Sequence, residues 1–187
     1  MLAGEFVQER KIPWSADKDR ISQVDGASVT IRTVRQSDAP LIKEMHERLS
    51  KESIYFRYLG PNKPTLENLH RLCSSDGKAG TVLVATVEEP KEKVIGIAHY
   101  CVDPIDPTTA EPAVIVEDNY QGCGLGKHIM LALCQDAILS GLKSFTTFIE
   151  PSNYRVVNLI KGSGLRFESR YCDGLKEIRV WLKRIKF

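Results

Sequence analysis

The sequence lacks an apolar run long enough to span a membrane, and its N-terminus lacks the apolar core of a signal peptide. It also lacks a strong charge of either sign. The net charge is +2, and no basic cluster is interleaved with aromatic residues, which make up 7% of the chain. These absences argue against a membrane protein and against a nucleic-acid-binding protein. A hydrophobic content of 42% and a charged content of 27% over 187 residues are typical of one globular domain.

Cysteine and histidine are too scattered for a disulfide framework or a metal centre. The five cysteines are Cys73, Cys101, Cys123, Cys134 and Cys172. Their odd number and wide spacing predict reduced, mostly buried thiols, and the cytoplasm is the expected compartment. His46 opens a sequence that resembles a zinc-protease H-E-x-x-H motif, but Ser50 stands at the position of the second histidine. The sequence therefore predicts no metal site.

The periodicity of apolar residues predicts alternating strands and helices after residue 28. The predicted strands span residues 29–34, 81–87, 94–102, 111–117, 144–149, 166–171 and 176–182. The predicted helices span residues 38–49, 52–58, 65–73, 126–140 and 153–163. This order predicts an α/β fold with a mixed central sheet and flanking helices.

Residues 1–28 mix charges of both signs with isolated apolar residues and have no sustained period. We therefore predict an N-terminal extension, residues 1–28, followed by a single domain, residues 29–187. The extension is expected to be either a strap over the body of the domain or partly disordered. A regulatory or docking arm is the alternative.

The most informative segment runs from Val114 to Lys127, where a β-branched strand leads through a glycine-rich turn into a long amphipathic helix. Glycines permit positive φ angles and a close approach of the backbone to a ligand. The helix N-terminus adds unpaired N–H groups and a partial positive charge. The segment therefore predicts a phosphate-binding loop.

Spacing excludes two common phosphate-binding loops. A Walker loop needs a glycine five residues before its Gly-Lys pair, but Gln121 stands there, and His128 replaces the magnesium-binding hydroxyl residue. The dinucleotide fingerprint needs G-x-G-x-x-G on the first βα unit, but the glycines here alternate and several predicted strands precede them. The pattern that remains is Gln121-x-x-Gly124-x-Gly126.

This pattern resembles the coenzyme A pyrophosphate loop of the GNAT superfamily of N-acetyltransferases. Residues 49–58 (LSKESIYFRY) and 95–100 (IGIAHY) are similar to segments of the Pat-like protein lysine acetyltransferases, and residues 153–165 resemble the closing helix of the superfamily. The resemblance covers residues 29–182. It implies the GNAT acyl-CoA N-acyltransferase fold, with acetyl-CoA as co-substrate.

The resemblance also implies a set of coenzyme A contacts. The backbone of Val114 and Val116 would bind pantetheine, while their side chains pack as ordinary sheet core. The N–H groups that would hold the pyrophosphate belong to Gly122, Cys123, Gly124, Leu125, Gly126 and Lys127, with Gln121 at the loop entrance. Two of these contacts have an alternative explanation. The Lys127 side chain is alternatively a solvated residue at the start of a helix. Asn153, a further expected contact, is alternatively a helix cap.

Amine acetylation needs a base. A lysine ammonium has a pKa of about 10.4, so at pH 7 only about one amine in a few thousand is neutral. Glu111 opens the strand that leads into the glycine loop, and the resemblance implies that it removes the ammonium proton, directly or through a water. The alternative is an exposed strand-end carboxylate without a catalytic role.

Other residues near the loop receive lesser roles. Glu117 and Asp118 are predicted to be solvated turn residues. Ile160 stands where many members of the superfamily have a tyrosine that protonates the departing thiolate, so the general acid is unassigned. Candidates for the acceptor cleft are Ser53, Tyr55 and Arg57, although a short amphipathic helix that packs Tyr55 and Tyr58 also explains them.

Together these features predict an acetyl-CoA-dependent N-acetyltransferase that transfers the acetyl group directly to an amine. A protein lysine side chain is the favoured acceptor, and a small-molecule amine is the first alternative. A non-catalytic acyl-CoA-binding or sensing module is the alternative from another functional class. The sequence leaves the oligomeric state open, with a homodimer as one alternative.

Overall fold

A computed structural model describes residues 20–24, 27–74, 79–88 and 90–182. The strands are β1 (Arg20–Val24), β2 (Ala27–Thr33), β3 (Val82–Glu88), β4 (Glu92–Val102), β5 (Thr109–Val116), β6 (Ser144–Ile149), β7 (Phe167–Cys172) and β8 (Leu175–Trp181). The α-helices are α1 (Ala39–Arg48), α2 (Lys51–Tyr58), α3 (Leu66–Cys73), α4 (Leu125–Leu139) and α5 (Tyr154–Ser163). Short 3-10 turns lie at Gln36–Asp38 and Asp118–Tyr120. None of the helices in these ranges is long and apolar enough to cross a membrane.

The strands form one mixed sheet in the order β1-β2-β3-β4-β5-β6-β8-β7. Neighbouring strands are antiparallel except for β5 and β6, which are parallel. The pairing of β5 with β6 is limited to Thr109 with Ser144 and Ala110 with Phe145, so the two strands diverge beyond these positions. The predicted α/β fold with a mixed central sheet and flanking helices is confirmed.

Alternation along the central strands divides the core between two faces of the sheet. On one face, Ile97 of β4 and Ile115 of β5 pack with apolar side chains of α1, α2 and α3. On the other face, Ala98 and Val116 pack against α4, with residues of α5 at the margin. From Ile97 onward in β4, and along β5, side chains at odd positions therefore face the first three helices.

The sheet extends further towards the N-terminus than the periodicity predicts. Strand β1 lies within residues 1–28, where no element is predicted, and β2 begins at Ala27. The two strands pair antiparallel, from Arg20 opposite Ile31 to Val24 opposite Ala27. The division of the chain at residue 28 stays a prediction, and residues 1–19 lie outside the described residues.

The cysteines are unpaired, as predicted, but most of them are not buried. Cys73 and Cys134 are buried, Cys123 and Cys172 are partly exposed, and Cys101 is exposed. The prediction of mostly buried thiols is therefore wrong. Cys101 is exposed because it lies near the end of β4, on the sheet face beyond the residues that α1–α3 cover.

A buried carboxylate lies where α4 packs on the sheet. Asp136 has an exposed fraction of 0%, and the Tyr100 hydroxyl donates to its Oδ2 at 2.8 Å. Its other oxygen, Oδ1, is also buried, and no group among the described residues donates a hydrogen bond to it. Burial raises the pKa of Asp136 above its ordinary value of 3.8, although hydrogen bonds from Thr81 and Tyr100 oppose the shift. The ionised form is therefore unfavourable in the folded protein.

Asp136→Asn is expected to raise the free energy of unfolding at pH 7 by on the order of 1 kcal/mol, because a neutral amide avoids the cost of burying a carboxylate ion. The folded-state pKa of the acid is raised, so its stabilising contribution is complete below the unfolded pKa and is lost as the pH rises through the folded pKa. The difference in the free energy of unfolding between variant and wild type should therefore widen from about pH 4 upward. Urea denaturation at several pH values measures it, and a difference that does not change with pH would contradict the assignment.

Candidate active site

The divergence of β5 from β6 leaves backbone groups of β5 without a neighbouring strand. The Glu117 N–H donates to the Ile95 carbonyl of β4 at 2.8 Å. Backbone groups alternate sides along a strand, so those of Val114 and Val116 point away from β4, towards the gap. The Val116 carbonyl accepts a hydrogen bond from Gln121 Nε2 at 2.8 Å. The backbone of Val114 and the N–H of Val116 thus border the gap.

The glycine loop turns directly from β5 into α4. Gly122 and Gly124 have φ angles of 81° and 93°, which a side chain would strain, and Gly124 is the N-cap of α4. The first N–H groups of α4 have no carbonyl one turn before them, so they are available to an anion. The Lys127 N–H already donates to the Gly124 carbonyl at 3.0 Å, which leaves its ammonium as the available group.

The remaining loop side chains lie on different sides of the turn. Gly126 lines a cavity together with Gln121, Gly122, Gly124 and Lys127. Leu125 is fully buried in the core, so only its backbone faces the loop. The Cys123 thiol donates to the Tyr120 carbonyl at 2.8 Å, which turns it back into the loop rather than outward.

Two connected cavities extend from this loop. The larger, of about 480 Å³, lies between the loop, α2 and α5. The smaller, of about 300 Å³, continues into the gap between β5 and β6. The residues that line both cavities are Phe56, Arg57, Val114, Lys127, Asn153, Val156 and Leu159. Ile160 lines the smaller cavity, so the position of the usual tyrosine presents an apolar wall.

Asn153 lines both cavities and also caps α5. Its Oδ1 accepts a hydrogen bond from the Val156 N–H at 3.3 Å, and the residue is buried. The cap alternative therefore describes its side-chain oxygen. Asn153 therefore lies in the same region as Lys127, which also lines both cavities.

Glu111 lies at the edge of the smaller cavity and is exposed. It pairs with Cys101 of β4, and His99 lies two residues further along the same face. Partial desolvation of the Cys101 thiol raises its pKa, although the residue is exposed, and the nearby Glu111 charge adds to the effect. Burial lowers the pKa of Arg57, and the Glu111 charge opposes that shift. The charge of Glu111 therefore acts on both Cys101 and Arg57.

Arg57 and His99 are joined by a hydrogen bond between Arg57 Nη2 and His99 Nε2, at 3.3 Å. A guanidinium only donates, so His99 Nε2 accepts and the ring is neutral with its proton on Nδ1. Burial, and then the Arg57 charge, lower the pKa of His99 to about 4. The sequence predicts no functional role for His99 or Cys101. Only the register of β4 against β5 brings them beside Glu111.

The Arg57 guanidinium lies 4.8 Å from the centre of the Tyr58 ring, and the Tyr58 hydroxyl is 2.6 Å from His46 Nε2. His46 Nδ1 is 2.8 Å from the Ile42 carbonyl, so Nδ1 donates and Nε2 accepts. His46 is thus a buried core histidine that supports α2. Within the described ranges, no group of three or more His, Cys, Asp or Glu side chains could hold a metal ion.

The turn before the glycine loop is only partly solvated: the prediction for Glu117 is wrong, whereas Asp118 is partly exposed. The Glu117 side chain is 3% exposed and lies 2.9 Å from Arg48 Nη2 and 2.8 Å from Lys93 Nζ. Asp118 accepts hydrogen bonds from the start of α2. The turn folds back onto α1 and α2, so residues some 65 to 69 positions earlier in the chain become its partners.

Comparison with known proteins identifies the family of this chain. The profile of the acetyltransferase (GNAT) family matches residues 43–165. Acetyltransferase PA5475 of Pseudomonas aeruginosa is 32% identical over 133 residues, which cover 69% of this chain and 70% of that protein. Acetyltransferase Pat of Mycolicibacterium smegmatis is 34% identical over 104 residues, or 56% of this chain and 31% of that protein.

Solved structures agree with the fold. The crystal structure of the GNAT domain of S. lividans PAT aligns with a TM-score of 0.78 at 22% identity, over 88% of this chain and 97% of that one. The structure of yncA, a putative acetyltransferase from Salmonella typhimurium with its cofactor acetyl-CoA, aligns with a TM-score of 0.68 at 19% identity, over 84% and 95%. The family profile matches most of the chain, and both the sequence identity to a known acetyltransferase and the shared fold agree with it: the chain belongs to the acetyltransferase (GNAT) family and is an N-acetyltransferase.

Proposed function

We propose that this protein transfers the acetyl group of acetyl-CoA directly to a protein lysine side chain, with Glu111 as the general base. The observation that carries the proposal is the position of Glu111 on β5. The same strand borders the gap at Val114 and Val116 and leads into the glycine loop. One strand thus joins a carboxylate at one end to a phosphate-type loop at the other.

The loop and the gap fit acetyl-CoA. The positive end of α4 and the Lys127 ammonium suit the pyrophosphate. The exposed backbone of Val114 suits an amide-containing chain such as pantetheine, laid alongside β5 like an added strand. The apolar wall of the smaller cavity includes Ile149 and Ile160 and keeps water from the reacting end. When bound, acetyl-CoA supplies an acetyl group activated as a thioester.

Glu111 removes the proton that blocks the acceptor amine. A lysine ammonium with a pKa of about 10.4 is almost wholly protonated at pH 7, and its nitrogen lone pair is free only after that proton moves to the Glu111 carboxylate. The positively charged Arg57 guanidinium lies near Glu111, whose charge acts on it. The neutral His99 holds Arg57 in this position. Ile160 has no proton to donate, but the departing group is a thiolate, the modest base of a thiol with a pKa of about 8.5, which leaves without one.

Two features support a protein lysine as the acceptor. The exposed position of Glu111 makes it accessible to a side chain presented on the surface of another protein. Residues 49–58, which include α2, resemble a segment of the Pat-like protein lysine acetyltransferases, and α2 lines both cavities. We place the reaction in the cytoplasm, since all five cysteines are free.

The test is the release of thiol from acetyl-CoA. Acyl-CoA synthetases and a cell lysate are compared with polyamines, amino acids and aminoglycosides as acceptors. Release with proteins alone supports a lysine acetyltransferase. Release with a small amine moves the function to that acceptor class, and tight coenzyme A binding without release from any acceptor supports an acyl-CoA sensor.

Gly124→Ala is expected to weaken coenzyme A binding roughly tenfold, which corresponds to about 1.4 kcal/mol. The φ angle of 93° is strained for alanine, so the turn must shift and the N–H groups of the loop lose their common direction. Isothermal titration calorimetry with coenzyme A measures the change. The matched control is Gly174→Ala, which meets a similar φ of 80° with nothing within 4 Å in the β7–β8 turn. Equal affinity of both variants for coenzyme A would contradict a role for the loop.

A further inference from the structure

Helix α2 is short and buries few of its own side chains. It is eight residues long, and its buried side chains are Ser53 and Ile54. Its second half brings Phe56 and Arg57 to both cavities and Arg57 towards Glu111. The first turn of α2 therefore acts together with the contacts of Arg57 with His99 and of Tyr58 with His46 to position the Arg57 guanidinium beside the proposed base.

The first turn of α2 is fixed by the turn that precedes the glycine loop. Asp118 Oδ1 accepts hydrogen bonds from Ser50 Oγ at 2.7 Å and Ser53 Oγ at 2.8 Å, and Asp118 Oδ2 accepts one from the Ser50 N–H at 2.9 Å. Ser50 Oγ in turn caps the helix by accepting from the Ser53 N–H at 3.1 Å. We call Ser50, Ser53, Asp118 and Gln121 the loop clamp.

Gln121 connects the clamp to the cofactor side. Its Nε2 donates to Ser53 Oγ at 3.1 Å and to the Val116 carbonyl at 2.8 Å. An amide nitrogen has two hydrogens, so both are used. Ser53 Oγ thus joins Asp118 and Gln121, which lie at the two ends of the turn that becomes the glycine loop.

The clamp is electrostatically favourable. Partial burial acts to raise the pKa of Asp118, but the hydrogen bonds from Ser50 and Ser53 outweigh it and leave the pKa below its ordinary value. The ionised carboxylate also lies at the positive end of α2. Hydrogen bonds to a charged group are stronger than neutral ones. The link between loop and helix is therefore tight at neutral pH.

We infer that the loop clamp couples coenzyme A binding to the order of the acceptor cleft, with Ser53 as its central positioning residue. The inference rests on the proposed function for the identity of the loop's ligand. A ligand that orders the loop fixes Gln121 and Asp118. These fix Ser53, and the rigid turn of α2 carries the effect to Arg57.

Hydrogen–deuterium exchange with coenzyme A as the probe tests this coupling. In the wild type, saturating coenzyme A is expected to slow amide exchange at least fivefold both in the loop (residues 119–127) and in α2 (residues 51–58). In Ser53→Ala, coenzyme A is expected to protect the loop still, while the protection of α2 is lost. Ser53→Thr retains the hydroxyl and is expected to restore the protection of α2.

Thr65→Ala is the matched control, because it removes a hydroxyl that caps another short helix, α3, away from both cavities. It is expected to leave both protections intact. Equal protection of α2 in Ser53→Ala and wild type would overturn the coupling, since Phe56 and Arg57 would then be ordered by direct contact. Absence of coenzyme A binding to the wild type would instead overturn the proposed function, and the coupling with it.

Discussion

Glu111→Gln is expected to lower the rate of acetyl transfer by about 10²–10⁴-fold and to leave the affinity for coenzyme A unchanged. Glutamine keeps the size of the side chain but has no carboxylate to accept the ammonium proton. Glu111 lines the smaller cavity and not the one around the glycine loop, so the loop contacts are untouched. Thiol release under saturating acetyl-CoA and acceptor measures the rate, and calorimetry with coenzyme A measures the affinity.

The pH dependence of this variant separates a base from a structural carboxylate. Above about pH 10 the acceptor amine loses its proton to solvent, so the deficit of Glu111→Gln should narrow as the pH rises towards that value. The His99 pKa of about 4 means that this histidine is neutral throughout the same range. A rise in the rate of the variant near neutral pH therefore belongs to the acceptor or to another group, and not to His99.

Glu44→Gln is the control, since Glu44 is an exposed residue of α1 that lines neither cavity. It is expected to retain the wild-type rate and affinity. Full activity of Glu111→Gln would return Glu111 to the alternative of an exposed strand-end carboxylate. A parallel loss of coenzyme A affinity would mean that the carboxylate supports the binding site rather than the proton transfer.

The parts of the site that the sequence predicts are those built from neighbours in the chain. The glycine loop and α4 follow from the spacing of Gly122, Gly124 and Gly126 and from a local helical period. The β7–β8 turn follows from Asp173-Gly174, whose φ angles of 48° and 80° are those of the predicted hairpin. In each instance a few consecutive residues determine the backbone.

The parts that the sequence does not predict depend on distant partners. Glu117 and Asp118 read locally as a polar turn, because Arg48 and Ser53 are far from them in sequence. Strand β1 is not predicted from the sequence for a related reason. An edge strand is held by backbone hydrogen bonds to one neighbour, so it needs no strong apolar alternation. Tertiary pairing, and not local propensity, determines both features.

Gly80→Ala is expected to lower the free energy of unfolding by at least about 3 kcal/mol, because a strained φ and a backbone clash act together. A Cβ at this position would lie 1.8 Å from the Tyr100 carbonyl oxygen and 3.3 Å from the Cys101 Cα. These are backbone atoms of β4 and cannot rotate away. The flanking hydrogen bonds, from the Tyr100 N–H to the Thr81 carbonyl and from the Val102 N–H to the Ala79 carbonyl, hold the two segments together. Thermal and urea denaturation measure the loss.

The consequence for the site follows from register, since Cys101 pairs with Glu111. A variant that folds at low temperature must push this part of β4 outward, and the rate of acetyl transfer should fall with it. Gly141→Ala is the matched control: its φ of 87° is also strained, but nothing lies within 4 Å, so a cost of about 1 kcal/mol and an unchanged rate are expected. If both variants lost stability equally, the strained φ alone would explain the result. The close approach of Gly80 to β4 would then not be what holds the strand beside Glu111.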